Sequence, residues 1–534
     1  VAGPAPPPPV PPVPRVRGLP SALPVAGVIA LLALPGEPGG DGGAHPADAA
    51  SAVLVLWCAV RLARERRRPL SRRAALLLGL PVLGLAAAAV GAPTPGDGLV
   101  GFVRYLQVFV LVPAAVVLLV RDRRDVTLAA WALTGLALWQ GAVGIHQYVT
   151  GTGASYRGEP VRAVGTFGAQ DVMGMATVVS LGLVCAAGLA LGRSPRRVRA
   201  VAAGCAVALA VPLALSFSRG AWIATAVTGV VLLALSGVRR ALAAGAAVVA
   251  AGVVLVGGLG LGTAMLQERV DSITRVADAP DRSVTDRYTM WAAAVGMWRE
   301  RPLTGVGLKG FPGHRDAHAS VALSSGSDTE GAGAAFRRQP LLSPHNMYLL
   351  VLAEQGLLGL LALAGSWSAL LVCAVRALPR RCPGARPEGG LIACGLLVWH
   401  LVDFGYGDIG GPSTVLTAVC FGLAARWAVG GGGLAGGSDR GDERGDGRGD
   451  ERGDERGDER GDERGAVGAG VPVGPLRVNG AGVPVDPLRV NGAGPEDAPR
   501  ATSSGDPAGP PQAAGADGPW AAGAGREDGV GPWR

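Results

Sequence analysis

A succession of apolar runs separated by short arginine clusters limits the fold of this 534-residue chain more than any other feature. The runs lie near 21–35, 47–63, 74–92, 101–120, 126–149, 170–191, 200–216, 220–236, 241–262, 346–376, 390–406 and 412–429. Most are close to the ~20 residues that carry a helix across the hydrocarbon of a bilayer. No water is available there to satisfy backbone N–H and C=O groups, so a spanning segment must satisfy them internally. The expectation is an all-α membrane protein of about twelve transmembrane helices. The run at 21–35 resembles a signal-peptide core, but no small-residue cleavage pattern follows it, and it is counted as a span.

Arginine placement tests the count independently. Cytoplasmic connections carry an excess of positive charge. The clusters Arg64–Arg73, Arg121–Arg124, Arg193–Arg199, Arg239–Arg240 and Arg376–Arg386 alternate with connections poorer in it, such as 93–100 and 407–411. Both termini are therefore expected in the cytoplasm. The net charge of +8 then reads as topology and not as a nucleic-acid footprint. None of the seven cysteines forms a CxxC pair or falls in an outer loop, so neither a cysteine-built metal site nor a structural disulfide is expected.

Three domains follow: a proline-rich cytoplasmic tail (1–20), a membrane domain (21–430), and a low-complexity cytoplasmic tail (431–534). The last holds a Gly-Asp-Glu-Arg array through Arg464 and two copies of a twelve-residue unit beginning at Gly470 and Gly482. Such composition cannot bury a core and is expected to be disordered. Its Arg-Gly-Asp triplets are a by-product of the array. Two outer connections are long, 150–169 and 263–345, and long loops on a rigid scaffold are where function concentrates.

In the longer loop, Tyr288, Trp291, Val295 and Trp298 recur at helical spacing, with Asp286, Thr289 and Arg299 opposite. This pattern predicts an interfacial helix resting its aromatics on the bilayer. Gly305-Val-Gly-Leu-Lys-Gly310 matches GxGxxG, but no strand precedes it, so a turn after Pro302 explains the glycines better than a dinucleotide site. His314 and His318 share metal-ligand spacing without a third ligand, and the neighbouring Gly and Pro oppose a helix. They read as loop histidines.

His345 stands where the long loop meets the next span. It is either an ordinary interfacial side chain or a base for a hydroxyl proton near neutral pH. Arg219, in the short hairpin Ser216-Phe-Ser-Arg-Gly220, either snorkels to headgroups or meets an anion such as a lipid pyrophosphate. Arg162 in the other outer loop is placed likewise. Glu354 lies inside an apolar span, where a carboxylate needs a partner, and either orients an arginine or forms a structural ion pair.

These residues fall into motifs: Arg162-x-x-Gly-Thr-Phe-Gly168, Phe217-Ser-Arg-Gly-Ala-Trp222, Arg287-Tyr-x-x-Trp291 with Pro302-x-x-Gly-x-Gly307, and His345-Asn-x-Tyr-Leu349 followed by Glu354-x-Gly356 and Gly359. In their order the chain resembles the O-antigen ligase and polymerase superfamily of bacterial membrane proteins over roughly residues 50–430. The resemblance implies transfer of an undecaprenyl-diphosphate-linked oligosaccharide or glycan to an acceptor hydroxyl at the outer face of the cytoplasmic membrane. The implied reaction is inverting, with neither metal nor cofactor, and the acceptor is a glycan, lipid or protein. It further implies that Arg219 and Arg287 hold the diphosphate, that His345 is the base or positions the acceptor, and that Arg162 and Glu354 assist in binding. Asp171 departs from the pattern, which commonly has Asn there. Ligase and polymerase are not separable by these motifs, nor is the oligomeric state.

The rival reading is a membrane transporter or lipid-linked glycan flippase, since about twelve spans with both termini inside also suit a carrier. A carrier concentrates polar groups near the bilayer midplane, whereas the candidates here, Glu354 excepted, fall at its outer surface.

Overall fold

The computed structural model of the protein describes residues 20–35, 45–65, 70–156, 159–171, 173–237, 282–319, 342–381 and 388–429. The expected span at 241–262, parts of the long loop, and the tail from 430 lie outside the described residues. So do most of the N-terminal tail and the side chain of Arg162.

In chain order the helices are α1 (Leu23–Leu31), α2 (Pro46–Glu65), α3 (Arg72–Val90), α4 (Pro95–Leu106) running through a π-helical turn (Gln107–Leu111) into α5 (Val112–Leu119), and α6 (Arg123–Thr150). There follow a short antiparallel hairpin of β1 (Ala154–Tyr156) and β2 (Glu159–Arg162), a 3-10 turn (Gly165–Gln170), α7 (Gly174–Leu191), α8 (Arg196–Leu215) and α9 (Arg219–Ser236). The chain continues with α10 (Arg282–Glu300), α11 (Phe311–His318), α12 (Met347–Arg381), α13 (Glu388–Asp403) and α14 (Thr414–Val429). Apart from the hairpin, regular structure among the described residues is helical.

Local chemistry explains several boundaries. Ser71, Thr94, Asp122 and Ser218 each accept a backbone N–H three residues ahead, as N-caps do. Gly151 ends α6 in the left-handed region (φ 68°). The π-helical turn lies just before Pro113, which has no N–H to give Phe109 and whose ring would crowd that carbonyl.

Eight of the expected spans are helices long and apolar enough to cross a membrane: α2, α3, the α4–α5 rod, α6, α7, α8, α9 and α12. The multi-pass architecture is therefore present, but three expected spans are shorter than their apolar runs. α13 and α14 have 16 residues each, about 24 Å of helix against ~30 Å of hydrocarbon. Both are almost wholly buried among other helices. α1 has only nine residues. Its flanks extend it beside α6, from Asp125, which accepts from Ser21 Oγ (2.7 Å) and Ala22 N (3.1 Å), to Gln140, which donates to Leu32 O (3.0 Å). That separation along α6 is about 22 Å, short of a full crossing.

The central span is α7, 72% buried over its apolar window, against 22% for α2 and for α8. Its small residues permit close approach: a Cβ on Gly188 would meet Ile392 of α13, and one on Gly182 would meet Ala137 of α6. Side chains such as Val53, Leu56, Leu76, Leu83 and Val207 point outward from the rim helices, as suits contact with lipid.

The two ends of the bundle differ in chemistry. At one, Arg123 pairs with Glu388, Arg426 donates to the carbonyls of Val120 (2.5 Å) and Arg121 (2.8 Å), and Arg199 to that of Ala190 (2.8 Å). The helices then run away from this end. α6 ends at Thr150, α8 at Leu215 and α13 at Asp403, while α7, α9 and α12 begin there, so the quoted motifs gather at the opposite end.

The loop helix α10 forms as expected, but with a different inner face. Met290, Ala293, Ala294 and Met297 are fully buried against Val306, Phe311, Leu350 and Ala353. Asp286, placed on the polar side by the spacing, is buried, whereas Tyr288 is half exposed. Methionine and alanine pack closely on the neighbouring helices, which a stripe of large rings would not allow. α11 is a second correction, since Gly and Pro near His314 predicted no helix. Pro312 occupies the first turn, where its missing N–H costs nothing.

Candidate functional site

Four sequence-distant segments meet at the motif end. The first is 163–171. Gln147 Oε1 accepts the N–H groups of Val164 (3.1 Å) and Gly165 (2.8 Å), and its Nε2 donates to Gly165 O (2.8 Å). About two turns earlier on the same face of α6, Gln140 Oε1 accepts from Thr166 N (2.9 Å) and Nε2 donates to Thr166 Oγ1 (2.7 Å). Gly165 sits at φ 69°, and any Cβ there would run into Gln140. The glycine of Arg162-x-x-Gly-Thr-Phe-Gly168 is thus required by conformation and by space.

Ala163 N donates to Leu215 O (3.3 Å), fastening this loop to the second segment, the α8–α9 hairpin. Phe217 there has φ 49°, an uncommon backbone state for a bulky residue, and its ring lies 6.3 Å from that of Tyr148. Ser218 caps α9, and Arg219 is the first residue of that helix, at the positive end of its dipole. A Cβ on Gly220 would come within 2.9 Å of Tyr406 Cβ, so the first turn of α9 rests against the third segment, the turn between α13 and α14.

That turn also receives the fourth segment. Met347 N donates to Phe404 O (2.8 Å) and Gly407 O (3.0 Å), Asn346 Nδ2 to Gly405 O (3.0 Å), and Tyr348 Oη to Leu401 O (2.6 Å). His345 is consequently held above the head of α12 in the left-handed region, φ 48°. Two of the three non-glycine residues with positive φ among those described, Phe217 and His345, border this site, and such strain gathers at functional places. Burial lowers the proton affinity of His345 below its ordinary value, and Arg287 acts in the same direction while Asp408 opposes. The imidazole is accordingly neutral near pH 7.

Arg287 enters from α10. One turn on, Trp291 Nε1 donates to Pro344 O (2.9 Å), which ties that face of the helix to the residue before His345. Its guanidinium acts electrostatically on both His345 and Asp403. The structure therefore brings Arg219, Arg287 and His345 around the 403–408 turn. Arg162 ends β2 immediately before the Ala163 anchor.

Glu354 is placed elsewhere. Its carboxylate is buried and accepts from Phe311 N (3.2 Å). Around it, Val306 N donates to Ala353 O (2.8 Å), Gly307 N to Glu354 O (3.0 Å), Leu357 N to Pro302 O (2.9 Å) and Leu358 N to Leu303 O (3.2 Å). These bonds stitch 302–311 onto a break in α12 at Gly356, where φ is 63° and ψ −164°. Gly305, Gly307 and Gly356 permit that apposition of backbones, so the GxGxxG match and Glu354-x-Gly356 form one structural joint. His314 and His318 turn to different partners, Gly310 O (2.9 Å) and Glu300 (3.6 Å).

Sequence reasoning marked Asp171 only as a departure from the family pattern and missed the acidic group to which it belongs. Asp171 accepts from Ser413 N (3.1 Å) and is walled by Gly174 and Gly411, whose added Cβ atoms would fall within 2.7 Å of its side chain. Enclosure raises its pKa from 3.8 to about 6, with Asp408 adding to the rise. Asp403 and Asp408 close the group. Asp403 stands near the end of the apolar run 390–406 and Asp408 alone in the short connection after it, and an isolated carboxylate at a helix end or in a turn is common on any surface.

Residues 204–364 match the family model described as O-antigen ligase. This stretch holds Arg219, Arg287, His345 and Glu354, but neither Arg162 nor the 403–413 turn. The match supports an O-antigen ligase and polymerase family assignment and indicates ligase-like glycan transfer by a multi-pass membrane protein. No curated protein matches the chain.

Proposed function

With that family assignment as premise, we propose that the protein transfers an undecaprenyl-diphosphate-linked glycan to an acceptor hydroxyl on a glycan, lipid or protein. It does so at the outer face of a bacterial cytoplasmic membrane, with the arginine-rich end and both termini inside. The single observation supporting this reading is the meeting of three distant motif segments, 163–171, 216–220 and 345–348, on the turn between α13 and α14 at the bundle end opposite the arginine clusters.

Arg219 and Arg287 bind the donor diphosphate. Planar guanidinium groups match its oxygens in pairs and stabilise the charge that grows as the bond to the sugar breaks. His345, neutral at pH 7, takes the acceptor proton while the acceptor oxygen attacks the anomeric carbon from the face opposite the diphosphate, which inverts that centre. Arg162 lends positive charge from the neighbouring loop. Two fixed cations take the place a divalent metal would otherwise fill, so the reaction proceeds in chelator. Glu354 serves binding indirectly, by fixing the joint from which α10 is hung.

The test is transfer by the purified full chain with a defined undecaprenyl-diphosphate glycan and an acceptor, in the presence of chelator. His345→Ala and Arg219→Ala are expected to lose turnover by about a hundredfold or more. Arg219→Lys is expected to be impaired as well, because an ammonium lacks the planar fork. Wild-type turnover by both alanine variants refutes the assignment, and a requirement for added divalent metal refutes the metal-free mechanism.

A further inference from the structure

Resting on the reading of His345 as the base, we propose that Asp408 is the positioning residue that orients the His345 imidazole and serves as counter-ion to the imidazolium formed during transfer. Three observations carry it. The segment bearing Asp408 and the segment bearing His345 are bonded directly, through Met347 N to Phe404 O and Gly407 O and through Asn346 Nδ2 to Gly405 O. Carboxylate and imidazole therefore share one rigid frame. Asp408 Oδ2 is buried and meets no hydrogen-bond partner among the described residues, a state a carboxylate keeps only at a cost unless something polar arrives there. Finally, His345, whose ring would supply that partner, has its backbone in the left-handed region at φ 48°, directly before the two residues that make these bonds.

The proton balance shows what Asp408 supplies. The acceptor O–H proton passes to a ring nitrogen of His345 as the acceptor oxygen bonds to the anomeric carbon. The bond from that carbon to the diphosphate oxygen breaks, and its electron pair departs with the lipid diphosphate. Left behind is an imidazolium in a half-buried place beside the cationic Arg287. A carboxylate whose field opposes that of Arg287 makes the cation tolerable until the proton passes to water. Among the described residues Asp408 also acts electrostatically on Asp171 ahead of α7, Asp403 at the end of α13, and the more distant Glu354 on α12 and Tyr105 on α4. On His345 itself it is Asp408 that favours the protonated ring, against burial and the field of Arg287.

The experiment measures transfer by the purified full chain against pH for the wild type, His345→Ala, Asp408→Asn and Asp408→Glu, with donor KM and monodispersity followed for each. In the wild type the rate falls on the acid side as His345 becomes protonated. Asp408→Asn removes a negative charge that favours protonation, so its acid limb is expected at lower pH. Its kcat is expected to fall about tenfold to a hundredfold with donor KM little changed. Asp408→Glu keeps the charge and is expected to recover part of the rate with the acid limb near its wild-type position. If Asp408→Asn does not assemble, Asp408→Ser must show the displaced limb instead. A wild-type rate in Asp408→Asn, or a lost rate with an unmoved acid limb and no recovery in Asp408→Glu, overturns the proposal while leaving His345 as base. Wild-type turnover in His345→Ala overturns both.

Discussion

Asp171→Asn replaces a carboxylate confined by Gly174, Gly411 and the Ser413 N–H with a neutral group of the same shape. In the folded protein Asp171 holds its proton up to about pH 6 instead of 3.8. A pKa raised on folding contributes stability that is fully present below 3.8 and is lost as pH rises through about 6. Near pH 7.5 the wild type therefore carries an ionised group in a place that prefers the neutral one. At about 1.4 kcal/mol per pH unit, and allowing for the partial solvent access of the residue, the penalty is about 1–3 kcal/mol. The amide can still accept from Ser413 N and never ionises. The expected result is an Asn variant whose apparent melting temperature in detergent exceeds that of wild type at pH 7.5, with the advantage shrinking toward pH 4. A difference that stays constant from pH 4 to 8 refutes the reasoning, since it would owe nothing to ionisation.

Gly356→Ala should destabilise the protein strongly, by about 3 kcal/mol or more, because the new methyl falls within 2.5 Å of Thr304 N and closer still to the Leu303 carbonyl. Gly365→Ala, in the same helix with nothing within 4 Å, should instead stabilise by about 0.5–1 kcal/mol, and equal melting temperatures for the two variants would contradict the joint described at Gly356. For orientation, Thr152 is exposed at the motif end and Arg193 at the arginine end. In a cysteine-free background, Thr152→Cys should react with an impermeant thiol reagent on intact cells and Arg193→Cys should not, and the reverse pattern would invert the proposed topology.

Much of this was legible because a membrane leaves a chain few choices. Runs such as 74–92 and 126–149 announce helices by length alone, and arginine clusters announce which ends lie together. Arg219 and His345 stood out because hairpin and helix end fix their height along the bundle. What stayed hidden depends on packing between distant segments. The inward face of α10 could not be read from its spacing, because large aromatics and the Met290, Ala293 and Met297 set are both apolar stripes, and only the neighbouring helices choose between them. Glu354 read as an intramembrane charge in search of a cation. Its actual partner is a backbone N–H from Phe311, 43 residues earlier, and backbone groups leave no mark in a sequence. Asp408 was silent for the same reason: its significance comes from the bonds that dock 345–347 onto 404–407.

The two glutamines that grip residues 164–166 stand seven positions apart on α6, nearly two whole helical turns. Their reach makes the loop answer to the length of a helix and not to its own sequence. Point changes at exposed positions of α6, such as Ala142, leave both amides aimed as before. A single residue added or removed between Gln140 and Gln147 swings one of them about 100° around the axis and releases half of the grip. An insertion or deletion between the two glutamines is thereby expected to cost the loop its hold, where an exposed substitution such as one at Ala142 leaves it in place.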